Sequence, residues 1–258
     1  MPLSERAEIA PVKAGRLPSP MHRSPPRRLL LFDVDGTLIT SNGAPGRTLT
    51  RALGEAVGRP IRDERNVYLG STDPQIVRDL LALNGVKVDD VEALTASVLA
   101  RYAAELPGAL QAPGAVRALP GVAALLDALS RDARFALGLV TGNVRAGADA
   151  KLAATGLARH FPVGAYGDDH ALRAQLPPLA LRRAEAHFGA RFAPEHVWVI
   201  GDTPKDVGCA RANGLRCLAV ASGWIDAEAL RAHAPDAVLD DFSDADAVVR
   251  ALLDGDAP

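Results

Sequence analysis

Two aspartates one residue apart, Asp33 and Asp35, close an apolar run that reads LLLFDVDGT from Leu29 to Thr37. Alternation along a strand puts residues i and i+2 on one face, so the two carboxylates share a direction and repel each other. Thr141, Gly142 and Asn143 end a second such run, RFALGLVTGN, and Asp202 and Asp206 end a third in HVWVIGDTPKD. The preference of Asp, Asn, Thr and Gly for turns and helix caps accounts for any one of these endings. Together they would gather several carboxylates at one sheet edge, and that charge calls for a cation. A hard, oxygen-preferring ion such as Mg2+ fits, and no His or Cys cluster suggests zinc.

The elements that must position these residues are legible from Leu29 onward. Short apolar runs (RLLLFDV, RFALGLVTG, FPVGAYGDD, HVWVIGD, LRCLAVASG) alternate with Ala- and Leu-rich helical segments such as NVRAGADAKLAATG. Continuous apolar strands joined by helices indicate a parallel sheet covered on both faces: an α/β, doubly wound, Rossmann-like core. In such sheets ligands bind beyond the carboxyl ends of the strands, which is where the polar endings fall.

One connection is too long. About a hundred residues separate the first two runs, where a crossover needs a dozen or so. GRTLTRALGEAV, DPQIVRDLLALNG and VDDVEALTASVLARYAAEL have helical apolar spacing. We therefore expect an inserted helical cap over residues 41–115, returning through LPGALQAPGA, and a catalytic core made of 29–40 and 116–258. Residues 1–28, rich in Pro, Arg and Ser, read as a disordered tail.

The chain has 258 residues, 48% of them hydrophobic, enough for a sizeable core. Its formal charge of −2 gives no bulk attraction to nucleic acid or anionic membrane. No apolar run reaches the roughly 18 residues of a membrane span, and no signal peptide is evident, so a cytoplasmic location is expected. Cys209 and Cys217 match neither a zinc knuckle nor a CxxC pair and read as core residues.

The ordered set DVDGT, VTGN, Arg173 in LRAQLPPLALRRA, and GDTPKD resembles the haloacid dehalogenase superfamily of aspartate-nucleophile hydrolases. GSTDPQIV, PGV and GDTPKDVGCARANGLRCLAVASG look like its phosphoglycolate phosphatase branch, and the insert is similar to that family's helical cap. The resemblance implies that Asp33 is the nucleophile that forms an aspartyl-phosphate. It makes Asp35 the general acid and then the general base. Asp33, the backbone carbonyl of Asp35, and Asp202 would hold Mg2+, with Asp206 as support. Thr141 and the N–H groups of Gly142 and Asn143 would bind phosphoryl oxygens, and Gly36 would let backbone approach closely.

The third motif departs from the family pattern, which usually has a lysine where this chain has Arg173. Arginine's fork suits phosphate oxygens, so Arg173 is expected to neutralise the transferring group. Relatives that dehalogenate lack an acid at the position of Asp35, so its presence points to phosphate esters. The phosphonate-cleaving branch needs a cap lysine, and the single cap lysine, Lys87, follows a turn-like LNGV. Thr72, Asp73, Gln75 and Arg78 are polar cap candidates that could equally cap or coat a helix beginning at Asp73–Pro74. A small phosphorylated metabolite is the expected partner. A phosphotransferase or mutase, and a non-catalytic phosphate-binding module, are the alternatives on the same scaffold.

Overall fold

A computed structural model describes residues 28–253. The core strands are β1 (Arg28–Phe32), β4 (Phe135–Val140), β5 (Gly164–Ala165), β6 (Val197–Gly201), β7 (Arg216–Val220) and β8 (Ala237–Leu239); a short pair, β2 (Ile39–Thr40) and β3 (Arg117–Ala118), is separate. The helices are α1 (Ala44–Val57), α2 (Arg65–Tyr68), α3 (Asp73–Leu83), α4 (Val91–Ala109), α5 (Val122–Arg131), α6 (Arg145–Ala154), α7 (Leu176–Phe188), α8 (Pro204–Ala212), α9 (Ala227–Arg231) and α10 (Ala245–Leu253).

The six core strands form one parallel sheet in the order β5-β4-β1-β6-β7-β8. The central β1 is buried throughout and supplies both faces: Leu30 and Phe32 pack with α5, α6 and α10, and Leu29 and Leu31 pack with α7. This is the doubly wound α/β architecture expected from its continuous apolar runs. β8 is only half-buried and lacks a strong apolar run, which is why its sequence does not read as a strand. The helix α5 is set against the sheet by Val122, Leu125, Leu126 and Leu129, a spacing that lines one helical face.

Helices α1 to α4 lie between β2 and β3 and close a core of their own around Leu53, Val77, Leu80, Tyr102 and Leu106. The antiparallel β2–β3 pair carries the chain out to these helices and back, with Ile39 opposite Ala118. Local chemistry sets their starts. The Thr72 side chain accepts the Gln75 N–H at 3.3 Å, and Asp90 accepts that of Ala93 at 2.9 Å.

Two boundaries differ from the sequence reading. The expected tail over residues 1–28 lies outside the described residues except for Arg28, which is not tail: it pairs with Phe135 and opens β1. The helix expected to stop before LPGA runs on to Ala109, because burial of Leu106 and Leu110 holds the last turn despite Pro107. The helix expected at Asp73–Pro74 does begin there: Thr72 caps α3, and Asp73 is its first helical residue.

Candidate active site

Asp33 follows β1 directly and donates its backbone N–H to Ile200 of β6 at 2.8 Å, so its side chain emerges at the carboxyl edge of the sheet. Arg173, from the 3-10 turn before α7, reaches Asp33 Oδ2 at 3.1 Å and Asp206 Oδ1 at 2.5 Å. All three side chains are buried. The other Asp206 oxygen accepts the Thr203 N–H at 3.1 Å and hydroxyl at 2.7 Å, which closes the first turn of α8. Both Asp206 oxygens are therefore occupied by protein donors.

Asp202 directly follows β6, beside these residues, and its Oδ1 accepts the Thr37 hydroxyl at 3.1 Å. Gly36 has φ of 81°, and a Cβ there would collide with the Asp202 carboxylate. The close approach that Gly36 permits is therefore to Asp202. Burial pushes Asp33 up to about 6 against the pull of Arg173, with Asp206 and Asp35 adding to the rise. Burial also raises Asp202 well above the carboxylate range, reinforced by Asp206 and Asp33. For Arg173 burial works against its charge, but Asp206 and Asp33 outweigh that and keep it protonated.

Asp35 makes a second cluster. Its Oδ2 accepts from Lys151 Nζ at 2.6 Å and from Asn143 Nδ2 at 2.8 Å, while among the described residues Oδ1 has only the Ser41 hydroxyl at 3.4 Å. Asn143 Nδ2 also donates to Thr141 Oγ1 at 2.7 Å, and its Oδ1 accepts from Lys151. Thr141 is fully buried after β4, and its N–H is bonded to Ala165 of β5 at 3.1 Å.

The helical insert is docked on these loops. Asp73 Oδ2 accepts the Val144 N–H at 2.8 Å, and the Asp73 N–H donates to the Gly142 carbonyl at 2.7 Å. The Thr72 hydroxyl donates to Ala171 at 2.6 Å, and Lys205 Nζ reaches Ser71 Oγ at 2.5 Å. A Cβ on Gly142 would strike the Ser71 carbonyl, so this glycine is required by the packing of the insert. At the rim the Arg65 guanidinium lies 4.0 Å over the exposed Trp224 ring.

The structure thus brings Asp33, Asp35, Gly36, Thr141, Asn143, Arg173, Asp202 and Asp206 to one sheet edge, with Gly142 where core meets insert. Gln75 and Arg78 are turned elsewhere, to Asp79 and Glu92. Sequence reasoning missed Lys151, and it missed the Asn143 side chain as a partner of Asp35. The signal for Lys151 was present: it falls with Gly147, Ala148 and Leu152 on the buried stripe of α6. A lysine on an apolar stripe needs a buried partner.

The donor set suits a divalent cation. Carboxylate oxygens of Asp33, Asp202 and Asp206 lie within 4.8 Å of one another. Both Asp206 oxygens are already satisfied, so Asp33 and Asp202 are the better ligands. Among the described residues no cationic side chain pairs with Asp202, whose buried charge calls for a positive partner. Hard carboxylate oxygens are the ligands such ions prefer.

The sequence profile of the haloacid dehalogenase-like hydrolases matches residues 28–214. A phosphoglycolate phosphatase of Nitrosococcus oceani is 30% identical over 219 residues, covering 82% of this chain and 92% of that protein. The probable phosphatase IndB of Dickeya dadantii is 31% identical over 228 residues, covering 87% of this chain and 94% of its own length. In three dimensions the chain is similar to CbbY from Rhodobacter sphaeroides in complex with phosphate, with a TM-score of 0.64 at 23% identity over 84% of this chain and 96% of that one. At that identity the likeness concerns the fold.

Proposed function

The chain belongs to the haloacid dehalogenase-like hydrolases, and from that premise we propose that it is a Mg2+-dependent phosphatase of a small phosphomonoester, working through an aspartyl-phosphate on Asp33. The observation that carries this reading is the buried Asp33–Arg173–Asp206 chain at the sheet edge, with Asp35 beside it. Mg2+ would be held by Asp33, Asp202 and the Asp35 carbonyl; when bound, it supplies positive charge against the phosphoryl oxygens.

In the first step an Asp33 oxygen attacks phosphorus as the ester P–O bond breaks. Asp35 gives its proton to the departing alkoxide, which leaves as the alcohol. In the second step a water oxygen attacks the same phosphorus as the bond to Asp33 breaks. Asp35 takes the water's proton, inorganic phosphate leaves, and both aspartates return to their starting state. Arg173 neutralises the spread charge of the transferring group while keeping Asp33 oriented. Thr141 and the N–H of Gly142 line the phosphoryl position, and the docked insert excludes bulk water from the intermediate.

The substrate class follows from the insert and from the relatives. An insert clasped on the core by Asp73, Thr72 and Lys205 admits a small ester, and the sequence relatives named phosphoglycolate phosphatase make phosphoglycolate the first to assay. Hydrolysis of p-nitrophenyl phosphate and phosphoglycolate should require Mg2+ and vanish in Asp33→Asn. Activity retained in that variant sinks the proposal. Isotope-labelled water should enter the released phosphate, whereas a phosphorylated acceptor would indicate transfer.

A further inference from the structure

We propose that Lys151 is a positioning residue for the reaction, fixing Asp35 so that Oδ1 alone carries the transferred proton; this rests on the phosphatase reading above. Lys151 rises from α6 with its side chain 3% exposed. Its ammonium meets Asp35 Oδ2 at 2.6 Å and also the Asn143 side-chain oxygen, and Asn143 donates to the same Asp35 oxygen at 2.8 Å. Two donors on one oxygen, themselves joined, stop the carboxylate from rotating. The Asp35 side chain remains 38% exposed, and among the described residues Oδ1 has only the Ser41 hydroxyl, at 3.4 Å. One oxygen is an anchor and the other is available to a leaving group or a water.

Fold stability does not explain this lysine. Its neighbours on the buried stripe of α6 are Gly147, Ala148 and Leu152, where an apolar side chain would pack without desolvating a charge. A buried ammonium is kept at a cost, and here its ionic partner is the half-exposed carboxylate that performs proton transfer. Asp73, at the start of α3, senses the same charge, so the ammonium also lies close to the point where the insert docks. Lys151 touches none of the reacting atoms and acts through Asp35.

The test compares Lys151→Met on two esters with leaving groups of different basicity. An alkyl phosphate needs its leaving oxygen protonated, whereas p-nitrophenolate leaves nearly unaided. K151M should lower kcat on the alkyl ester by about a hundredfold with KM little changed, in line with the usual worth of a positioned acid. On p-nitrophenyl phosphate the first step should fall less than about tenfold, and a burst of nitrophenol should appear because the second step still needs Asp35 as base. Adding K151M to Asp35→Asn should cost nothing further. Equal losses on both esters, or additive losses in the double variant, overturn the proposal. Should K151M not fold, Lys151→Ala, which likewise removes the donor, is read in the same way. Failure of the underlying reading looks different: Asp33→Asn stays active, or wild-type enzyme yields no trapped phosphoenzyme.

Discussion

The Asp73 carboxylate, in the first turn of α3, accepts the N–H of Val144, in the loop after the core strand β4, at 2.8 Å. With the reciprocal bond from Asp73 N–H to the Gly142 carbonyl at 2.7 Å, this clasps the helical insert to the loop that carries Thr141 and Asn143.

The clasp has a pH signature. Burial raises Asp73 from 3.8 to about 6, with Lys151 opposing the rise. Between those values the folded state holds more protons than the unfolded state, so this group's contribution to stability falls as pH rises. Asp73→Asn keeps an oxygen for Val144 and removes the titration. The stability of the variant relative to wild type should therefore climb between pH 4 and 7, by up to about 3 kcal/mol. Urea unfolding at several pH values checks it; a difference that stays flat with pH rules it out.

Gly142→Ala should push the insert off the core, because the new methyl group meets the Ser71 carbonyl. A misplacement of about 1 Å near a reacting centre costs on the order of a hundredfold in rate. Trp224 emission should change as Arg65 leaves its ring, while the buried Trp198 stays silent. Full activity with unchanged fluorescence would show that the loop yields instead.

Arg173→Met should destabilise the fold by about 3–5 kcal/mol at neutral pH, since it leaves Asp33 and Asp206 buried without their cation. Adding Asp206→Asn should recover part of that loss, and Arg173→Lys should lose less than the methionine variant. Chemical denaturation of the wild type and the three variants decides; stabilities equal to that of wild type would mean that the ion chain contributes nothing.

Divalent metal should stabilise the protein more as pH rises from 5 to 7.5. Burial holds Asp33 near 6 and Asp202 above the usual range in the absence of a cation, and only the ionised carboxylates bind one. At lower pH protons compete with the ion. At a hundred times its dissociation constant, Mg2+ should add about 2.7 kcal/mol. Thermal shifts with and without Mg2+ report this, and Asp202→Asn should abolish the increment.

How much of this was readable before any coordinates? The runs at Leu29–Phe32, Phe135–Val140 and Val197–Gly201 are apolar without alternation, and only a strand buried on both faces needs that pattern. Their polar endings then placed Asp33, Asp35, Thr141, Asn143 and Asp202 at one edge, because parallel strands bring their carboxyl ends together. Arg173 was reached from the order of the motifs.

Other relationships came only with the tertiary structure, because they depend on which distant segments meet. Lys151 and Asp35 are 116 positions apart, and nothing in the spacing of either announces the other. Gly142 was expected as a donor to phosphate, and the fold makes it the seat of the insert, since a glycine in a sequence does not say which backbone crosses it. Asp206 was expected as a support, and the partners its two oxygens hold, Arg173 and Thr203, are brought to it by the turn before α7 and the start of helix α8. The sequence by itself determined the sheet and the carboxylates at its edge, because strand burial and alternation are local rules. Which oxygen each carboxylate leaves free was decided by packing, because that depends on donors from α6, α8 and the turn before α7 arriving within hydrogen-bonding distance.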